Sequence, residues 1–474
     1  MSSLLIRGGT ILTLNDRLDV VEGDVSIVDG RIAAIGPTLD GRHDRTVEAR
    51  GGYVLPGLIQ THVHLCQTLF RGYADDLALM DWLRTRVWPM EAAHNAESLR
   101  AAARLAATEL LCSGTTAVLT METVHDTDVV FDAVAESRLR ATIGKCMMDF
   151  DAEAPKRLHE GTRQSIDESL AIRARWHGAS NGRLRAAFAP RFAVSCSREL
   201  LEAVASLSDS HKALVHTHAS ESREEIAIVQ KATGARTNIE YLANVHLASP
   251  HLCAAHCVWV DDRDQQLLAD HDIKVMHCPG SNLKLGSGIA PVAEMRARGI
   301  TVSLGADGAA CNNRLDMFEE MRLAAVLQAT RREPGILPAR DVLWMATRAG
   351  ARTLGLEHEI GSLEPGKRAD VIVVDRDRPH LAPGPDPYST LVYAVRGSDV
   401  RTTIVDGELL VDEFAPVRVG RADVTAEARA AARNRRPGAR RQRSWPGRRC
   451  RAPRTPGSST DRAPARGAGD PDRR

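Results

Sequence analysis

A chain of 474 residues, with 43% hydrophobic and 26% charged side chains, holds enough apolar material for one large domain or two smaller ones, which excludes a largely disordered protein. No stretch approaches the ~18 uninterrupted apolar residues of a membrane helix, and "MSSLLIRGGTILTLND" lacks the apolar run of a secretory signal, so a cytoplasmic location with no membrane partner is expected. The nine cysteines then read as reduced thiols, and the net charge of +1 hides a split, because residues 433–474 carry fourteen arginines against three acidic residues.

In chain order, the first elements are alternating, turn-punctuated segments: "SLLIRGGTILT", "GDVSIVDGRIAAIG" and "TVEARGGYVLPG", with Asp29-Gly30 as a hairpin signal. Between residues 55 and 364, eight apolar, β-branched runs follow, at 54–65, 115–121, 140–149, 184–195, 213–218, 251–260, 273–279 and 301–307. Longer segments of helical period separate them, such as 98–114, which Gly114 closes. Eight strands alternating with helices predict an α/β fold, a (β/α)8 TIM-type barrel; alternation alone also admits an open doubly wound sheet. Strand-like segments then return in "DVIVVD" and "VRTTIVDGELLV". Two chain ends that look alike are expected to pair, 1–54 with 365–415, as a small β-sandwich beside the barrel. A C-terminal helix at 416–432 and a basic, disordered tail at 433–474 complete the expected organisation, and the tail implies no nucleic-acid partner.

Histidine is 17 of 474 residues, so chance supplies about 0.6 His-x-His triplets, and this chain has two, at 62–64 and 216–218. More telling, His62, His64, His216, His218, His256, His277 and Asp307 all fall at or near the carboxyl end of a predicted strand. In a barrel those ends form one mouth, where catalysis is built. Residues i and i+2 of a strand face the same way, so His62 and His64 can reach one ion. Parity does not separate His216 from His218, but depth does: His216 lies about 6.6 Å further down the barrel at strand rise. His218 is therefore taken as the third ligand, with His216 supporting from behind, and Asp307 as the anionic fourth. Imidazole and carboxylate suit one divalent ion per subunit, Zn2+ first and Fe2+ acceptable. The fourth predicted strand holds no lysine that could be carbamylated to bridge a second ion. Such an ion acidifies a bound water, Glu221 on the following loop is the natural acid/base, and His256 orients the water and polarises the substrate. Cys253 and Cys257, which flank His256, are read as packing residues.

"PGLIQTHVHLCQTLFRG", "HTHASESREE", "AAHCVW", "SNLKLGSGIAPV" and "LGADGAACNN" together resemble the deaminase and chlorohydrolase branch of the amidohydrolase superfamily, over about residues 1–415. In that branch the ligand is the histidine three before the glutamate, which agrees with His218. The chain is most similar to the S-adenosylhomocysteine/5′-methylthioadenosine deaminases. That resemblance implies contacts from Trp82 and Glu91 to the nucleoside, with the Glu91 carboxylate accepting hydrogen bonds from the ribose hydroxyls. Arg191 departs from the pattern, standing where those deaminases commonly carry histidine, and with Gln67 it resembles guanine deaminases, where the matching residues hold the purine. The implied activity is hydrolytic deamination of a small-molecule, purine-type substrate by a homo-oligomer, a dimer or tetramer. Guanine deaminase and triazine aminohydrolase or chlorohydrolase are the alternatives, and a non-catalytic scaffold is disfavoured because the ligands and Glu221 are all retained.

Overall fold

The computed structural model describes residues 2–150 and 153–434. From residue 435 on, the arginine-rich tail expected to be disordered lies outside the described residues.

The opening segments form β1 (Ser3–Leu12), β2 (Val20–Val28), β3 (Arg31–Gly36), β4 (Arg45–Glu48) and β5 (Tyr53–Pro56). The eight predicted barrel strands follow as β6 (Leu58–His64), β7 (Thr115–Met121), β8 (Arg140–Met147), β9 (Leu184–Pro190), β10 (Val215–Ala219), β11 (Leu252–His256), β12 (Lys274–His277) and an eighth strand in two pieces, β13 (Val302–Leu304) and β14 (Asp307–Gly308). Towards the end come β15 (Val371–Val374), β16 (Val400–Val405), β17 (Glu408–Asp412) and β18 (Ala415–Pro416).

The two chain ends do pair. They build one mixed sheet in the order β18-β17-β16-β15-β5-β1-β2-β3, with β4 on β1. Ile6, Ile11, Val25, Ile27, Val54, Val371, Val373 and Ile404 share one apolar core, so the expected sandwich is a continuous sheet curled round its own interior.

The second sheet is the barrel. Its order is β13-β12-β11-β10-β9-β8-β7-β6-β14, with every pairing parallel. Because β13 and β14 are pieces of one strand, β13 held by β12 and β14 by β6, the ring is closed. Gly305 sits in the break, where a Cβ would lie 2.5 Å from the carbonyl oxygen and 2.7 Å from the amide nitrogen of His62, so only glycine lets the eighth strand cross that close to the first.

Two expectations shift. The run at 54–65 divides between sheets: β5 pairs with β1 and β15, β6 pairs with β7, and the chain crosses at Gly57. An apolar run buried on both faces carries no mark of which sheet it joins. The C-terminal helix is Arg421–Asn434 rather than 416–432, because Ala415 and Pro416 are spent pairing with Asp412 and Val411. No helix among the described residues is long and apolar enough to cross a membrane.

Candidate metal centre and pocket

The strand ends that carry the site are kinked. Ser220, His256, Cys257 and Asp307 have φ of 53°, 73°, 45° and 61°, in the left-handed region that side-chain-bearing residues adopt only when their surroundings impose it. At His256 this turn ends β11, and at Asp307 it opens the second piece of the eighth strand.

Four side chains converge. His62 Nε2 lies 3.3 Å and His64 Nε2 3.2 Å from Asp307 Oδ1, and His218 Nε2 lies 3.3 Å from His64 Nε2. Each ring is fixed from behind. His64 Nδ1 donates to the Met121 carbonyl at 2.7 Å, His218 Nδ1 to the Arg191 carbonyl at 2.7 Å, and His62 Nδ1 shares a 2.6 Å hydrogen bond with His216 Nε2. A carbonyl only accepts, so His64 and His218 carry their protons on Nδ1, and in the neutral rings the two Nε2 lone pairs face each other. That arrangement repels unless a cation is shared. The 3.2–3.3 Å separations match the edge of a tetrahedron with bonds of about 2.0–2.1 Å, the zinc–nitrogen length. The donor set therefore fits a divalent ion. His216 meets the far nitrogen of His62.

Electrostatics agree with that chemistry. Burial lowers His62 to about 4 and holds His218 well below the usual histidine value, so both keep a lone pair at neutral pH, whereas for His64 the hydrogen bond and charge of Asp307 outweigh burial and raise it. Asp307 stays ionised although burial opposes it, because His62 and His64 face it, and its Oδ1 and Oδ2 accept from the Gly308 amide at 2.7 Å and Ser281 Oγ at 2.6 Å.

Above this cluster, His256 Nε2 lies 3.5 Å from Glu221 Oε2 and 4.0 Å from Asp307 Oδ2, with no hydrogen-bond partner of its own among the described residues. Its nitrogen also falls within reach of His62 and His218, closer to the cluster than its expected role beside the water requires. Burial raises the Glu221 carboxyl, and Ser287 Oγ donates to its Oε1 at 3.1 Å. Glu221, His256 and Asp307 line one pocket with His64, His218, Gln67, Trp82, Arg191, Phe192 and Leu285. His277, also expected at the mouth, is buried with both nitrogens unpartnered among the described residues, and neither lines the pocket nor joins the donor cluster.

A family model described as the amidohydrolase family matches residues 53–410. The chain belongs to that family. This amidohydrolase is 43% identical over 411 residues to a 5′-deoxyadenosine deaminase of Methanothermobacter thermautotrophicus, covering 86% of this chain and 93% of the relative. It is 38% identical over 442 residues to a 5-methylthioadenosine/S-adenosylhomocysteine deaminase of Symbiobacterium thermophilum, covering 91% and 99%. Among solved structures it is similar to an adenosine deaminase from Xanthomonas campestris with bound zinc, at a TM-score of 0.86 and 31% identity, covering 92% of this chain and 98% of that one.

The expected substrate contacts are distributed unevenly in this amidohydrolase. Trp82 lines the pocket, its indole N–H buried without a partner among the described residues. Gln67 and Arg191 also line it, whereas Glu91, expected on the ribose hydroxyls, lies behind them and accepts hydrogen bonds from both. Sequence reasoning used the connector after β12 only as a mark of resemblance and gave its residues no role. There Ser281 donates to Asp307, Asn282 holds His256 Nδ1 at 2.9 Å and Ser287 donates to Glu221, so one segment orients three site residues. The polar run "SNLKLGS" straight after a strand end was the available signal. Glu225, also missed, anchors the Glu221 loop by accepting its amide at 2.8 Å.

Proposed function

We propose that this amidohydrolase is a metal-dependent hydrolytic deaminase of an aminated purine, with a 5′-modified adenine nucleoside such as 5′-deoxyadenosine or 5′-methylthioadenosine as its substrate. The observation that carries the reading is the clustering, at contacts of 3.2–3.3 Å, of the His62, His64 and His218 imidazole nitrogens with one Asp307 carboxylate oxygen in the neighbourhood of Glu221. His62, His64, His218 and Asp307 would hold one zinc ion, and the adenosine deaminase of similar fold has zinc bound. Bound there, the ion acidifies a water and supplies the nucleophile at neutral pH.

The protein's own groups do the rest. Glu221, whose carboxyl is raised by burial, takes the water proton on Oε2 and delivers it to the ring nitrogen next to the amino-bearing carbon. His256 Nε2, held by Asn282 and set between Glu221 and Asp307, hydrogen-bonds the new oxygen as it adds. With the hydroxyl proton passed to the amino group by way of Asp307 and Glu221, ammonia departs. Phe192, Leu79, Leu83 and Leu285 close apolar walls round the heterocycle.

Guanine is the second reading, favoured by Gln67 and Arg191 in the pocket wall. Ammonia release from 5′-deoxyadenosine, 5′-methylthioadenosine, S-adenosylhomocysteine, guanine and melamine separates the readings. The expected order places an adenine nucleoside first, and a clear preference for guanine overturns the assignment.

A further inference from the structure

We infer that Glu320 is a positioning residue of this amidohydrolase: from outside the pocket it fixes the contact between Ser281 and Asp307 and, through Asn282, the His256 ring. The inference rests on the metal-dependent deaminase reading above.

Glu320 belongs to the helix Met317–Arg331, is fully buried, and lies outside both the pocket lining and the donor cluster. Its Oε2 accepts from the Gly280 amide at 3.0 Å, and its Oε1 accepts from Asn312 Nδ2 at 2.7 Å. The same Asn312 nitrogen donates to the Ala306 carbonyl at 2.7 Å. Gly280 immediately precedes Ser281, whose Oγ donates to Asp307 Oδ2 at 2.6 Å, and Ala306 immediately precedes Asp307. The bonds therefore close a ring. Glu320 holds the stretch that carries the serine donor on one side and, by way of Asn312, the stretch that carries the aspartate acceptor on the other.

That ring fixes an orientation. Asp307 is kept at a φ of 61°, and its two oxygens face different groups: Oδ1 faces His62 and His64, while Oδ2 faces Ser281 and, at 4.0 Å, His256 Nε2. A carboxylate free to turn loses that division. Two residues past the anchored amide, Asn282 Oδ1 accepts from His256 Nδ1 at 2.9 Å, so any shift of Gly280 disturbs the aspartate and the histidine together.

Packing alone does not account for this carboxyl. No cation pairs with it among the described residues, and burial pushes it up to about 8. An apolar side chain of similar size would fill the space without burying an ionisable group. At Gly280, a Cβ would lie 2.5 Å from Glu320 Oε1 and 2.8 Å from Asn312 Nδ2, so glycine is what lets the carboxyl and the amide meet the backbone there. Two N–H donors on separate oxygens require an acceptor at each, and a glutamine side chain offers one oxygen only.

Glu320→Gln tests this directly, because it keeps the size of the side chain and sets an N–H against either Gly280 or Asn312. Zinc affinity of the apoprotein, measured by competition with a chromogenic chelator, is expected to weaken about 10- to 100-fold, the range for losing a group that orients a metal ligand. In zinc-saturated enzyme, kcat for 5′-deoxyadenosine should fall by a factor in the same range, with KM within about threefold of wild type because Glu320 does not line the pocket. Glu319→Gln, on the same helix, should change neither quantity. A lower melting temperature with zinc affinity and kcat unchanged makes Glu320 a packing residue and overturns the inference, as does a rise in KM alone or an equal loss in Glu319→Gln. Should Glu320→Gln fail to fold, Asn312→Ala opens the ring on its other side and is judged by the same criteria. If the wild-type enzyme turns over no purine, the deaminase reading fails, whereas the zinc-affinity comparison needs no substrate and still decides the role of Glu320.

Discussion

Two buried polar clusters lie at opposite ends of the barrel strands, and they are finished differently. At the amino-terminal end, Arg140 at the start of β8 gives Nε and Nη2 to Asp370 at 2.8 and 3.0 Å and Nη2 to Asp406 at 2.6 Å. Arg183 and Arg368 add bonds to Asp406 at 2.7 and 3.1 Å, and the Asp406 amide returns to Asp370 at 2.8 Å. Carboxylates and guanidinium groups saturate one another there, joining barrel to curled sheet. At the carboxyl-terminal end, His62 Nε2, His256 Nε2, Gln67 Oε1 and Trp82 Nε1 are equally buried and have no hydrogen-bond partner among the described residues. Buried polar atoms without partners are expensive, so a fold that keeps those of His256, Gln67 and Trp82 in one pocket, with His62 in the donor cluster beside it, reserves them for something else to satisfy. The saturated cluster holds the protein together, and the unsaturated one awaits ligands.

The contrast can be broken from either end. Glu221→Gln carries the largest expected effect: ammonia release falls by about 10³-fold or more, in line with the loss of a general acid/base, while metal content by elemental analysis and melting temperature stay at wild-type values. Chelation comes next. Stripping the ion should abolish turnover and lower the melting temperature, both restored by added zinc, because an ion that binds only the folded site stabilises it. Asp370→Ala strikes the saturated cluster and reverses the pattern: stability drops by about 3–5 kcal/mol in a denaturant titration, while kcat/KM of the protein that remains folded changes by no more than a few-fold. The smallest effect is expected from Ser287→Ala. Burial raises Glu221 and the Ser287 hydrogen bond opposes that rise, so activity is lost as pH falls through a value above the ordinary glutamate range. Removing the hydroxyl should move this acid limb of the kcat/KM profile to still higher pH and lower kcat a few-fold, with no change in melting temperature.

What the sequence shows of this design follows from distance along the chain. His62 and His64 are legible because alternation puts i and i+2 on one face, and His218 is separable from His216 because strand rise converts two residues into depth. Strand ends collect in one mouth, so Asp307 could be grouped with histidines more than 200 residues away before any contact was known. The Glu91–Arg191 pair was not legible, since its members are 100 residues apart and each alone looks like a ligand-binding residue. Nor was the division of 54–65 between two sheets, because apolar β-branched residues suit either equally. The connector that orients Asp307, His256 and Glu221 is a short helix, Pro279–Lys284, followed by a loop, too brief for periodicity to report which way a side chain points.

The break in the eighth strand has a further consequence. Asp307 belongs to the two-residue piece that meets β6, so the oxygen facing His62 and His64 arrives only when the ring zips shut. An unclosed barrel presents histidines without their anion. An ion held by His62, His64 and Asp307 would couple metal binding to closure at one seam, a clasp between the first barrel strand and the last.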